Sequence, residues 1–157
     1  MIKVGDKLPD VSFQLLNDDG ASTPSTSDLF AGKKVVLFAV PGAFTPTCSQ
    51  AHLPGFVVQA DKIKAKGVDS IICLSVNDSF VMKAWGDASN AEDIIMLADG
   101  GAAFSKAIGL SMETGDFGGV RSQRYSMIVD DGTVTQLNIE EPQSFEVSNA
   151  ETILEQL

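Results

Sequence analysis

Cysteine and histidine are scarce in this sequence: Cys48, Cys73 and His52 are all it has in 157 residues. A zinc site draws three or four protein ligands from a tight spacing. No paired motif of that kind occurs, so metal binding is a weak reading. Two thiols exclude a disulfide-stapled scaffold. They point to a reducing compartment, where a disulfide is transient and catalytic rather than structural. Positive charge is also short, with 11 Lys and Arg against 21 Asp and Glu and a net charge of −10. Nucleic acid and anionic membrane surfaces are gripped by a basic footprint, so neither is an expected partner. No apolar run approaches the ~20 residues of a membrane span. The opening MIKVGDKLPD has no apolar signal region, and the resulting expectation is a cytoplasmic protein.

What is present is the composition of one ordinary globular domain, 44% hydrophobic and 20% charged. VSFQLL (11–16) reads as a strand, and the polar NDDGASTPSTSD (17–28) as a loop. KKVVLFAV (33–40) reads as a strand buried on both faces. A helical pattern runs from about Thr47 to Lys66, with Pro54-Gly55 expected to bend or interrupt it. It ends on Lys64, Lys66 and Gly67, a cationic last turn with a glycine stop. DSIICLSV (69–76) and DIIMLAD (93–99) are further strands. Helices are expected over 77–89, capped by Asn77 or Asp78, over 101–110, and over 148–157, capped by Ser148 or Asn149. Residues 124–140 form a hairpin around Asp131-Gly132. The order predicts a single α/β domain: a mixed sheet between helices, with a right-handed parallel crossover around Cys48.

Ligands of α/β sheets sit beyond the carboxyl ends of strands, and PGAFTPTC lies at such an end. With Thr47 as cap, Cys48 falls in the first helical turn. Free N–H groups and the partial positive charge there favour a thiolate. An isolated cysteine is usually a small buried hydrophobe; the polar surroundings and the helix start favour a nucleophile here. His52 lies four residues on, on the same helix face. It reads first as a hydrogen-bonded structural residue, with a base for Cys48 as the alternative. A cysteine hydrolase lacks an identifiable third member. A thioredoxin-like disulfide carrier would have Cys-x-x-Cys, and Thr45 occupies the earlier slot.

Pro41, Thr45 and Cys48 resemble the peroxiredoxin signature Pro-x-x-x-Thr-x-x-Cys. The flanking KKVVLFAVPGAFTPTCSQAHLPGF resembles the type II, or Prx5-like, subfamily. The similarity continues in KGVDSIICLSVNDSFVMKAWG (66–86) and VRSQRYSMIVDDG (120–132), and so over nearly the whole chain. It implies a thioredoxin-like fold over one domain, 1–157, and a thiol peroxidase of antioxidant defence that needs no cofactor. On this resemblance Cys48 is the peroxidatic cysteine, which a peroxide oxidises to a sulfenic acid. Thr45 orients the peroxide, and Pro41 shields the thiolate from water. The register R-Y-S-M-I-V-D-D selects Arg124 over Arg121 as the active-site arginine. A guanidinium suits that place because it stays charged and offers a rigid fork of donors.

Atypical two-cysteine relatives carry a resolving cysteine near the C-terminus, and no cysteine follows residue 73 here. Cys73, inside a buried strand, reads as core. The expected reductant is an external thiol, glutathione with glutaredoxin or else thioredoxin. An intermolecular Cys48–Cys73 disulfide is the lesser alternative. Many relatives are homodimers, so a homodimer is expected. Phe44, Phe80 and Trp85 are either its contacts or core, and Met82 is core.

Overall fold

A computed structural model describes residues 1–157. A short hairpin opens the fold, β1 (Leu15–Asn17) against β2 (Gly20–Ser22). Helix α1 (Thr26–Phe30) follows, then strand β3 (Lys34–Ala39) and helix α2 (Leu53–Ala65). Next come β4 (Ser70–Ser75), α3 (Ser79–Ala88), β5 (Ile95–Ala98) and α4 (Ala103–Ala107). A second small hairpin joins β6 (Ser111–Glu113) to β7 (Val120–Ser122). Strands β8 (Tyr125–Asp130) and β9 (Thr133–Ile139) and helix α5 (Ala150–Gln156) complete the chain.

The central sheet has the order β5-β4-β3-β8-β9. β3 pairs parallel with β4 and antiparallel with β8, so the expected mixed sheet is present. β3 is central because both its faces are apolar. Val36 and Phe38 join one buried cluster, which also holds Phe56 and Ile63 of α2, Trp85 of α3 and Ile153 of α5. Val35, Leu37 and Ala39 join the other, with Phe30 of α1 and Phe104 of α4. Two helical layers thus cover the inner strands on both faces, while the edge strand β9 stays half-buried. Asp131 and Gly132 both have positive φ, 48° and 78°. Such values build the two-residue turn whose twist matches the strands it joins.

Several local expectations need correction. The loop over 17–28 contains β2 and the start of α1. Ser25 caps α1, and Ser25 and Asp28 bond reciprocally in a capping box. The strand over 11–16 is mostly isolated bridges at Ser12 and Gln14, with only its end in β1. Pro54-Gly55 does not break the helix. Helical structure begins at Pro46, residues Cys48–His52 form a π-turn, and Pro54 lies at the start of α2. The π-turn just before Pro54 accommodates it: the Leu53 N–H bonds back five residues to the Cys48 carbonyl, so the proline, which has no N–H, follows a point where the regular ladder is already interrupted.

Candidate active site

The sheet register assembles the site. Ala39 at the end of β3 is opposite Tyr125 at the start of β8. The loop leaving β3 therefore runs beside residue 124, although the two are far apart in sequence. That loop carries Pro41 and turns through Phe44, whose φ is +64°. Its backbone is held from outside: Asn77 Oδ1 accepts from the Ala43 N–H at 3.0 Å and from Ser75 Oγ at 2.6 Å. The Thr45 hydroxyl donates to the Gly42 carbonyl at 2.7 Å, which leaves its oxygen lone pairs to accept. The Thr45 carbonyl takes the first helical bond, from the Ser49 N–H at 2.9 Å. Thr47, expected as the cap, makes no side-chain capping bond.

Cys48 has no exposed surface. Nη2 of Arg124 donates to its Sγ at 3.0 Å. Nη1 of the same guanidinium donates to Nδ1 of His52 at 2.8 Å. Since Arg can only donate, Nδ1 must accept, and the proton of the neutral ring sits on Nε2. That N–H donates to the Ser148 carbonyl at 2.9 Å. Burial above all, then the Arg124 charge, pushes the imidazole down to about 3. His52 is thus a neutral group with both nitrogens occupied. It bonds to the arginine and to the Ser148 carbonyl, not to the sulfur.

Arg121 lies beside the loop at Gly42 and makes no bond to Cys48. Its Nε donates to the Gly118 carbonyl and its Nη1 to the Val76 carbonyl, each at 2.9 Å. Cys73 lies fully buried in β4, and burial, then the neighbouring Cys48, pushes its thiol well above the ordinary value. Both cysteines are free. Trp85 is buried and donates to Ser49 Oγ at 3.0 Å, fastening the active helix to α3. Of the candidate contact residues it is core, as is Met82, while Phe44 and Phe80 are 54% and 72% exposed. A cavity of about 520 Å³ opens beside the site, with Pro41, Thr47, Met112, Arg124 and Glu140 in its wall. No group of three or more His, Cys, Asp and Glu side chains is placed to hold one metal ion.

The Redoxin family pattern matches residues 3–154. Peroxiredoxin-2E-2, chloroplastic, of Oryza sativa subsp. japonica is 50% identical, over 99% of this chain and 72% of that protein. Peroxiredoxin-2B of Arabidopsis thaliana is 48% identical over 99% of this chain and 98% of its own. The chain belongs to the peroxiredoxins. Among solved structures, reduced Prx3 of Vibrio vulnificus in complex with H2O2 superposes with a TM-score of 0.97. It is 64% identical, with 99% of each chain covered. This peroxiredoxin is accordingly a thiol-dependent peroxidase with the thioredoxin-like fold its signature implied. The cytoplasmic expectation does not stand: a relative matching 99% of the chain is named chloroplastic, so the features read above do not assign a compartment.

Sequence reasoning missed Glu140, Phe145 and Ser148. His52 and Ser148 are 96 positions apart, and no local spacing signals such a contact. The one available cue was the acidic pair Glu140-Glu141 before Pro142, where the last strand ends.

Proposed function

We propose that the whole chain, 1–157, acts as one peroxiredoxin domain that reduces hydrogen peroxide and organic hydroperoxides at Cys48. The 3.0 Å bond from Arg124 Nη2 to Cys48 Sγ carries this reading. The Cys48 thiolate attacks one peroxide oxygen, and the O–O bond breaks. The other oxygen leaves, takes up a proton, and departs as water or alcohol, while the sulfur becomes a sulfenic acid. Arg124 donates to the oxygens as charge passes between them. The Thr45 hydroxyl orients the peroxide, and the Cys48 N–H, which has no acceptor within the helix, adds a donor. Pro41 keeps water from the sulfur.

An external thiol then attacks the sulfenic sulfur and releases water, and a second thiol frees Cys48. Glutathione with glutaredoxin, or thioredoxin, fits this step, because buried Cys73 does not present itself as a resolving partner. The exposed Phe44 and Phe80 support a homodimer; sedimentation at the mass of a single chain, at micromolar concentration, would overturn that assignment. The reaction itself is tested by mixing reduced protein with a small excess of hydrogen peroxide, beside Cys48→Ser. Fast peroxide loss with one oxygen gained on Cys48 is expected. Equal loss in the variant would remove Cys48 from the chemistry.

A further inference from the structure

We propose that Glu140 and the segment it gathers, residues 146–148 with Phe145 just before them, form a strap that holds Arg124 toward Cys48, making Glu140, Phe145 and Ser148 positioning residues for peroxide reduction. The inference rests on Arg124 assisting O–O cleavage.

Glu140 follows β9 directly, and its N–H donates to the Arg124 carbonyl at 3.0 Å. A carboxylate so close to an arginine would ordinarily pair with it. It does not: the ion pairs of the protein are those of Lys83. The Glu140 carboxylate turns instead to its own downstream chain. It accepts from the N–H groups of Glu146 and Val147 at 2.9 Å, and from the N–H and Oγ of Ser148 at 2.8 and 2.7 Å. Glu140 is only 7% exposed, so these bonds replace its water. Burial alone would raise this carboxyl; the four donors outweigh it and hold it below the usual carboxylate value.

Two consequences converge on Arg124. Ser148, fixed at its N–H and its hydroxyl, offers its carbonyl to His52 Nε2, and the opposite ring nitrogen receives Arg124 Nη1. Phe145 lies with its ring centre 4.8 Å from that of His52 and 5.7 Å from Arg124 Cζ. One loop therefore sets both the edge and a face of the guanidinium. Because Glu140 bonds amides and not Arg124, the fork stays free for His52 and the sulfur. A direct Glu140–Arg124 pair would draw it off Cys48. Donors aimed at a transition state lose their effect when they shift by an ångström or less, which gives the strap a kinetic function beyond holding the fold.

The test is a double-mutant cycle. Glu140→Gln keeps the shape but sets an amide donor against backbone donors; Phe145→Leu removes the ring. Each is made alone and with Arg124→Ala, and the second-order rate of hydrogen peroxide reduction is measured by stopped flow, with thermal unfolding recorded alongside. The expected single-variant losses are about tenfold for Glu140→Gln and about fivefold for Phe145→Leu, with no further loss from either when Arg124 is already alanine. Losses of equal factor in both backgrounds, or no loss from either variant, overturn the strap. If Glu140→Gln fails to fold, Phe145→Leu carries the cycle by the same criteria. An unchanged rate in Arg124→Ala alone would overturn the role of Arg124, and the strap with it.

Discussion

His52 accepts a hydrogen bond from Arg124 at 2.8 Å and is neutral, first because its ring is buried and then because the guanidinium beside it is charged. The ring is buried, and a proton on Nδ1 would face the guanidinium. Its folded value of about 3 compares with about 6.5 for a free imidazole. Between these values the unfolded chain binds a proton that the native state refuses. Stability is then complete above about pH 6.5 and falls as pH drops toward about 3, by on the order of 5 kcal/mol in all. Glu140, whose carboxyl is also held low, acts in the same direction at lower pH. Urea unfolding at pH 7 and pH 4.5 measures the slope. His52→Gln is expected to flatten it; a slope as steep as that of the native protein would assign the proton uptake to other groups.

The same bond defines what the arginine must be. Arg124 reaches Cys48 and His52 with two nitrogens of one planar group, and an ammonium has a single nitrogen. Arg124→Lys is expected to lower the peroxide rate by about 10²–10³, the cost of losing one aimed donor at an active site. Arg121→Ala should change it only a few-fold, because Arg121 bonds the Gly118 and Val76 carbonyls. Equal losses from the two would mean that the register reading chose the wrong guanidinium.

What the sequence made legible, and what it hid, follows from range. β3, β4 and β5 are apolar runs, and their burial is a property of the run itself. The hairpin at Asp131-Gly132 is written in two residues, since both take positive φ. The capping box Ser25–Asp28 was equally local but lay inside a polar stretch that composition alone marked as loop. The π-turn at Cys48–His52 has no sequence signal, because it is one residue of helix register that packing decides. The site divides the same way. Pro41, Thr45 and Cys48 lie within eight residues, but Arg124 meets Cys48 from 76 positions away. Only resemblance to relatives named it. Glu140 went unmarked and Ser148 was read only as a candidate helix cap, a place Asn149 takes, because their task is to hold a residue that itself was visible only by resemblance.

Cys73 provides a third test. It is paired in register with Met96 of β5 on one side and Phe38 of β3 on the other, and has no exposed surface. Burial also keeps its thiol protonated, and a thiol of that kind is a poor nucleophile. Cys73→Ser should therefore retain peroxide turnover driven by an external thiol, with no disulfide-linked dimer of the native protein on a non-reducing gel during turnover. Loss of recycling in the variant, together with that dimer, would make Cys73 the resolving cysteine.

Tyr125 is the immediate neighbour of Arg124, but it belongs to the opposite face of the sheet. Its side chain joins the cluster with Phe30 and Phe104, while Cys48 belongs to the other. Its hydroxyl is fully buried and has no hydrogen-bond partner; burial, then the charge of Asp99, raises its ionisation well above the ordinary value. An unpaired buried hydroxyl costs about 1–3 kcal/mol relative to its hydrated state. Tyr125→Phe keeps the ring packing and removes that cost, so the expected outcome is a gain of about 1 kcal/mol in urea unfolding at pH 7. A loss of similar size would show that the hydroxyl is bonded in solution, and the ring would then belong to a polar network and not to the core.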